Sequence, residues 1–292
     1  MPSVSETKLS IVVPAYNEGE TVAEVLADLK KELDGKLVYE IVVVNDGSTD
    51  NSRKILDKIP YIKLVNHRIN RGYGSSLKTG IENSRYDWVL TFDSDGSHPS
   101  HQIMDLVKFL DKYDMVVGAR TAQKTYDTVL RKTGRKIVTA LAQYISKVEI
   151  PDINSGFRFF KKELAQKFWH LYPEGFSFST TITVASHVAR YAVKYVPIKS
   201  YKRKGGKSGI KPFRDMIGFM NVVIRLAIYF KPLRVFVPLS ILLLTAAILL
   251  VGVDYYFTGG VLDVTFAILV NASIQSFMFG LIAEMIVKRF YS

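Results

Sequence analysis

The sequence predicts an α/β protein: a parallel sheet with helices on both faces, then an amphipathic helix, then a two-helix membrane hairpin. Three observations predict it. Short, β-branched apolar runs alternate with helical spacing over the first ~120 residues. Two stretches near the end of the chain, Val235–Val253 and Val264–Ala283, contain no charged residue. A strongly basic block comes just before the first of them.

The strands read as Leu9–Val13, Ile41–Val44, Ile62–Val65, Trp88–Phe92 and Met115–Val117. Between them lie helices at Glu20–Leu33, Ser52–Ile59, Ser75–Asn83 and His101–Leu110. Val22, Val25, Leu26, Leu29 and Leu33 share one face of the first helix. Such alternation builds a parallel sheet covered on both sides. Ligands sit at the carboxyl ends of the strands in such sheets. The polar clusters Tyr16-Asn17-Glu18, Asn45-Asp46-Gly47-Ser48, Asn70-Arg71-Gly72 and Asp93-Ser94-Asp95 fall there. Farther on, Val129–Lys147 reads as a long helix, and Leu164–Leu171 and Thr180–Tyr191 as shorter ones. Strands are expected near Phe157–Phe160 and Val193–Ile198. Pro212–Phe230 sets Phe213, Ile217, Met220, Val223, Ile224, Ala227 and Ile228 against basic residues at its other side and ends. That pattern fits a helix lying in a membrane interface.

Each of the two uncharged stretches approaches the ~20 residues that cross a bilayer as a helix. They are adjacent and joined by a short link, which favours spans over buried core helices. Nothing apolar and cleavable lies near Met1, so no leader is expected. The formal net charge is +12. Lys199 to Arg234 holds ten basic residues against one acid, Asp215. Beside two spans, that charge reads as attraction to anionic lipid rather than to nucleic acid. The link Asp254–Asp263 has no Lys or Arg, while Lys231 and Arg234 precede the first span and Lys288 and Arg289 follow the second. The positive-inside rule then places both chain ends in the cytoplasm. The chain has no cysteine, which excludes thiol catalysis, disulfides and cysteine-ligated zinc. Asn271 and Gln275 lie four apart inside the second span and suggest helix–helix or subunit contacts, hence a possible homo-oligomer.

Asp93 and Asp95 end the fourth strand, where residues i and i+2 point the same way. Two converging carboxylates call for a cation. Hard oxygen ligands suit Mg²⁺ or Mn²⁺, completed by water and diphosphate. Asp46 ends the second strand; an acid there accepts hydrogen bonds from a nucleoside or simply serves the Asp-Gly turn, and its position alone leaves both open.

The series Ile11-Val-Val-Pro-Ala-Tyr-Asn-Glu18, Val44-Asn-Asp-Gly-Ser-Thr-Asp50, Asn70-Arg-Gly-Tyr-Gly74 with Lys78 and Gly80, and Phe92-Asp-Ser-Asp-Gly-Ser-His-Pro99 resembles inverting family 2 glycosyltransferases of the GT-A fold. Asp152-Ile-Asn-Ser-Gly-Phe-Arg158, Tyr201-Lys-Arg-Lys-Gly-Gly-Lys-Ser208 and the paired spans look like the dolichyl-phosphate mannosyltransferase and polyprenyl-phosphate glucosyltransferase branch. The resemblance implies nucleotide contacts from Pro14, Tyr16, Glu18, Val44, Asp46, Lys78 and Asp93. It implies a metal–diphosphate site at Asp93, Asp95 and Ser97, and catalytic roles for Asp93, Asp95 and Arg203. Asn154, Arg158 and Lys207 would meet the donor sugar and diphosphate. Arg120, Arg131 and Arg135 would grip the acceptor phosphate, and the last two are i, i+4 on one helix. Ser97 departs from the glutamine of many relatives and reaches less far, so water could fill the gap to the metal. His98 stands in the usual His-Pro pair, where a structural role beside Pro99 is favoured over ligation.

No Asp or Glu lies between Glu174 and Asp215, where relatives that glycosylate a hydroxyl keep a base. A phosphate acceptor needs none, its second ionisation lying near ~6. The expected activity is therefore inverting transfer of one hexose, from a GDP-mannose or UDP-glucose type donor, to dolichyl or polyprenyl phosphate. The expected layout is a cytoplasmic catalytic domain at 1–210, an interfacial helix at 211–231 and two transmembrane helices at 233–290. Rival readings are transfer to a hydroxyl of a lipid-linked glycan, a nucleotide-sugar-binding scaffold without turnover, and a transporter. Retention of Asp93, Asp95, Arg158 and Arg203 opposes the scaffold; few ionisable groups in the spans oppose the transporter.

Overall fold

The computed structural model describes residues 7–120, 129–173, 177–201, 212–259 and 263–291. The chain forms two compact units, 1–220 and 221–292. The boundary falls inside the amphipathic helix rather than ahead of it.

In the first unit, β1 (Lys8–Ala15), β2 (Val38–Asn45), β3 (Ile62–Asn66), β4 (Trp88–Thr91), β5 (Met115–Ala119), β6 (Arg158–Lys161) and β7 (Val193–Pro197) form one sheet. Its order is β3-β2-β1-β4-β6-β5-β7. Ile11, Val12 and Val13 of the inner strand β1 are wholly buried, so its apolar run is continuous rather than alternating. On one face α1 (Glu20–Leu33) packs Val22, Leu26, Leu29 and Leu33 into a core with Leu9, Ile11 and Val13, joined by Leu106 of α4 (Ile103–Val107). On the opposite face α3 (Tyr73–Glu82) lies against Val12 at Gly80. Further α-helices of this unit include α2 (Ser52–Leu56), α5 (Val129–Ser146), α6 (Lys162–Lys167) and α7 (Phe178–Val188).

Two sequence expectations change. The sheet is mixed, because β6 runs antiparallel to both β4 and β5. The chain reaches β6 from the carboxyl edge of the sheet, where Thr91 Oγ1 donates to the Gly156 carbonyl (2.5 Å) and Gly118 N–H to that of Phe157 (2.9 Å). From there β6 can only run back down, so the loop before it is delivered to the ligand edge. The fourth strand also stops at Thr91. Asp93 and Asp95 therefore lie in the turn after it, and strand alternation is not what orients them.

In the second unit α9 (Leu233–Thr258) and α10 (Asp263–Tyr291) form a hairpin, preceded by the last turns of α8 (Pro212–Phe230). Ser240 and Ser273 bond each other's carbonyls at 2.9 and 2.8 Å, and Ser276 Oγ reaches the Phe236 carbonyl at 3.3 Å. Small side chains let the helices approach closely. The apolar segments Leu233–Phe257 and Val264–Arg289 are 25 and 26 residues long, with mean hydropathies of 2.6 and 1.8. At 1.5 Å per residue each exceeds the ~30 Å hydrocarbon layer. Leu242, Leu249 and Ile268 stand exposed on them. Such a surface suits lipid, and the hairpin fits a membrane anchor. Asn271 and Gln275 are exposed as well, so the seam within the hairpin belongs to the serines instead.

Candidate active site

The carboxyl ends of β1, β2 and β4 lie side by side, with Ala15 paired to Asn45 and Val12 to Thr91. This register brings Pro14, Asp46 and Asp93 to one edge. Asp46 N–H donates to the Ala15 carbonyl (2.9 Å), Phe92 N–H to that of Val12 (3.0 Å) and Ser94 Oγ to that of Pro14 (2.8 Å). Tyr16 projects outward, 43% exposed. After it the chain turns at Asn17, whose φ of 54° is left-handed; its side-chain oxygen accepts the Thr49 N–H at 2.8 Å. Asparagine tolerates that region better than most residues. Glu18 is buried at the head of α1, its N–H held by Ser52 Oγ (3.1 Å). Val44 is wholly buried and stands opposite Pro14, so only its backbone reaches the edge.

Asp46 grips the loop ahead of α3. Its carboxylate accepts the N–H groups of Arg71 (2.9 Å) and Gly72 (2.8 Å) and meets His67 Nδ1 at 2.6 Å. His67 Nε2 lies 3.0 Å from Thr79 Oγ1. Gly72 has φ 93°, a conformation that disfavours any residue with a Cβ. Tyr73 follows, and its phenol donates to Asp93 Oδ1 at 2.9 Å.

Asp93 Oδ2 faces His98 Nε2 at 2.9 Å. The His98 ring packs on Phe157 and edge-on to Phe92, and its Nδ1 has no hydrogen-bond partner among the described residues. With Nε2 turned to Asp93, His98 supports the carboxylate beside Pro99. Gly156 backs the same carboxylate, and a Cβ there would stand 2.5 Å from Oδ2. Ser97 N–H caps Asp95 Oδ1 at 2.9 Å, and the Ser97 carbonyl accepts Tyr201 N–H at 2.9 Å. Ser97 thus shapes the turn through its backbone. Burial alone would raise the Asp93 carboxyl pKa. The charge and hydrogen bond of His98, the Tyr73 phenol and the Arg120 charge outweigh it and hold Asp93 below the usual range. The Tyr73 phenol is pushed well up by burial and by Asp93, so it stays a donor.

These residues fit a hard divalent cation. Two carboxylates share one turn, and Gly156 leaves Asp93 without a side chain behind it. Among the described residues no group of three or more His, Asp or Glu is arranged to hold a metal ion by itself. A cation held here would take its remaining oxygens from diphosphate and water, as Mg²⁺ and Mn²⁺ do.

Residues 10–169 match the family described as glycosyl transferase family 2. The chain belongs to that family and is a glycosyltransferase. Residues 231–288 match the GtrB C-terminal hairpin. An uncharacterized protein of Methanocaldococcus jannaschii is 30% identical over 72% of this chain and 90% of its own. A dolichyl-phosphate beta-glucosyltransferase of Trichomonas vaginalis is 29% identical over 78% of this chain and 73% of its own. Among solved structures, glucosyl-3-phosphoglycerate synthase from Mycobacterium tuberculosis, in complex with Mn²⁺, UDP and glucosyl-3-phosphoglycerate, superposes with TM-score 0.57 at 21% identity, covering 76% of this chain and 78% of that one. S. aureus TarS with UDP-GlcNAc gives 0.54 at 20%, covering 77% and 68%. These likenesses establish the GT-A fold.

Several expected ligand contacts of this glycosyltransferase are engaged inside the protein. Arg158 is the most fully enclosed of them. Its side chain is wholly buried, donating to the carbonyls of Ser155 and Ser179 and to Thr183 Oγ1. Burial lowers its pKa, and no carboxylate pairs with it among the described residues. It ties the loop before β6 to α7. Arg120 makes a two-pronged pair with Asp152 (Nε 2.7 Å, Nη2 3.0 Å), an anchored charge that still reaches Asp93. Asp152 also takes the Asn154 N–H (3.1 Å), and Thr180 Oγ1 donates to the Asn154 amide oxygen (2.6 Å). Lys78 Nζ donates to the Tyr172 carbonyl at 2.8 Å. Arg131 and Arg135 fall a turn apart on α5, their side chains outside the described residues, as are Arg203 and Lys207. Tyr73, His67 and Gly156 were not singled out from sequence. The first and last do lie inside recognised motifs, but a motif does not say which carboxylate they touch.

Proposed function

We propose that this enzyme transfers one hexose, with inversion, from a nucleotide-sugar to a dolichyl or polyprenyl phosphate at the cytoplasmic face of a membrane. The observation that carries the lipid-phosphate part is the make-up of α7. This helix lies under Asn154 and Arg158, every residue from Phe178 to His187 is buried, and none is an acid. The polar residues facing in are Ser179, Thr180, Thr181, Thr183, Ser186 and His187. Relatives that glycosylate a hydroxyl keep a carboxylate base in this part of the domain. A phosphate oxygen attacks C1 unaided; the bond from C1 to the diphosphate breaks, and its electron pair leaves with the nucleoside diphosphate. Catalysis then rests on positioning and on charge set against the leaving group.

In this reading Pro14, Tyr16, Glu18 and Asp46 receive the nucleotide, and Asn154 and Lys207 the sugar and diphosphate. Arg131, Arg135 and Arg203 meet the acceptor phosphate, with Arg120 a fixed charge nearby. Mg²⁺ or Mn²⁺ at Asp93 and Asp95 would supply charge to the departing diphosphate. The dolichyl-phosphate activity of the Trichomonas relative and the GtrB-type hairpin support a lipid acceptor. The hairpin at 233–290, the interfacial helix at 211–231 and the basic block before the first span support a catalytic domain, 1–210, on the cytoplasmic side. The outward amides of Asn271 and Gln275 support a homo-oligomer.

The test is a transfer assay in detergent with a panel of nucleotide-sugars, Mg²⁺ or Mn²⁺ and a short polyprenyl phosphate, read by mass spectrometry. An acid-labile glycosyl-phospholipid with one donor is the expected product. Nucleotide-sugar hydrolysis without lipid product, across several chain lengths, would move the acceptor to a hydroxyl.

A further inference from the structure

We propose that Tyr73 is a positioning residue that couples nucleotide binding to cation binding by tying Asp46 to Asp93. The inference rests on the metal reading of Asp93 and extends it. The link is short and continuous. Asp46, at the end of β2, fixes the N–H groups of Arg71 and Gly72 at 2.9 and 2.8 Å. The Gly72 carbonyl accepts both the N–H (3.0 Å) and the hydroxyl (3.1 Å) of Ser76, which locks the first turn of α3. Tyr73 opens that turn and spans to Asp93 at 2.9 Å.

The geometry at Asp93 gives the link its consequence. A carboxylate offers about two acceptor positions on each oxygen. Tyr73 takes one on Oδ1 and His98 one on Oδ2, so one on each remains for a cation. Two donors on opposite oxygens stop the group rotating about its Cβ–Cγ bond. Outer donors of this kind orient the carboxylates that bind metals. A nucleotide that orders Asp46 therefore steadies Asp93 through Tyr73, and by linkage a cation at Asp93 raises nucleotide affinity by the same factor. His98 bonds the other oxygen and lies outside the link from Asp46 through Gly72 to Tyr73, so it orients Asp93 without belonging to that link.

The experiment uses the full chain in detergent. Mn²⁺ uptake is followed by the paramagnetic resonance of free Mn²⁺, with and without saturating UDP and, in a parallel series, GDP, corrected for Mn²⁺ held by free nucleotide. Wild type, Tyr73→Phe and Asp93→Asn are compared, and metal-free nucleotide affinity is measured by calorimetry. Tyr73→Phe should weaken Mn²⁺ binding in the presence of nucleotide by about 10-fold or more. It should shrink the nucleotide-dependent gain to the part that direct ligation by the diphosphate supplies, and metal-free nucleotide affinity should stay within about twofold of wild type. Wild-type Mn²⁺ affinity in Tyr73→Phe, with binding abolished in Asp93→Asn, overturns the link and leaves the metal site standing. Loss of metal-free nucleotide affinity in Tyr73→Phe also overturns it, by exposing a general structural role. No Mn²⁺ uptake by wild type with either nucleotide, matched by Asp93→Asn, overturns the metal reading itself.

Discussion

Replacing Gly156 with alanine should disable the turn that carries Asp93 while leaving the fold in place. The new Cβ would stand 2.5 Å from Asp93 Oδ2, 2.9 Å from Oδ1 and 3.0 Å from Cγ. Ordinary contact begins near ~3.5 Å, so something must yield by about 1 Å. The Gly156 backbone is poorly placed to do so. Its carbonyl is bound by Thr91 Oγ1 at 2.5 Å, and the residues on either side are tied to Gly118 at 2.6 and 2.9 Å. The carboxylate moves instead, and its bonds to Tyr73 and His98 stretch. Losing those two bonds lowers stability by about 1–2 kcal/mol. A displacement of about 1 Å at a reacting centre lowers turnover roughly 100-fold, or about 2.7 kcal/mol of barrier. Transfer kinetics and thermal melting on the same preparation would separate these effects. A Gly156→Ala enzyme with kcat/KM within about threefold of wild type would refute the argument.

Three further outcomes follow from the same geometry. Arg158→Lys keeps the charge but gives up the fork that serves two carbonyls and Thr183, so unfolding free energy should drop by about 2–3 kcal/mol with nucleotide affinity intact; a normal melting temperature with lost nucleotide binding would restore a diphosphate role. For Asp152, burial pushes the carboxyl up but the bonds and charge of Arg120 outweigh it, leaving it below 3.8 when folded. That stabilisation is present above the unfolded value and fades as pH falls through the folded one, so melting curves should drop below about pH 4. Asp152→Asn, which strands the Arg120 charge, should cost about 3 kcal/mol near pH 7 and flatten the acid limb; parallel limbs would refute the pairing. Arg131→Ala with Arg135→Ala should raise the KM for lipid phosphate by about 10-fold or more and leave that for the nucleotide-sugar unchanged; equal losses would place the acceptor elsewhere.

Local pattern made much of this protein legible. The α1 helix runs from Glu20 to Leu33, as its apolar spacing predicts, and both apolar stretches lie inside longer helices. Periodicity reports which side of an element is dry, and that depends on near neighbours in the chain. The inversion of β6 was not legible, because Arg158–Lys161 carries the same pattern whichever way it pairs. The Asp-x-Asp motif marked the turn but not its posture, since the strand ends before it. Arg158 shows the limit most sharply. Its motif marked it as important, yet its acceptors come from the loop before β6 and from α7. By itself the sequence determined the class of fold, the two long apolar helices and the edge of the sheet where the motif residues gather. Only the tertiary structure decided which polar atoms meet there: Tyr73 and His98 on Asp93, Gly156 behind it, Asp152 on Arg120. Those meetings depend on strand order and turn geometry, which bring together residues far apart in the chain, and no local periodicity records them.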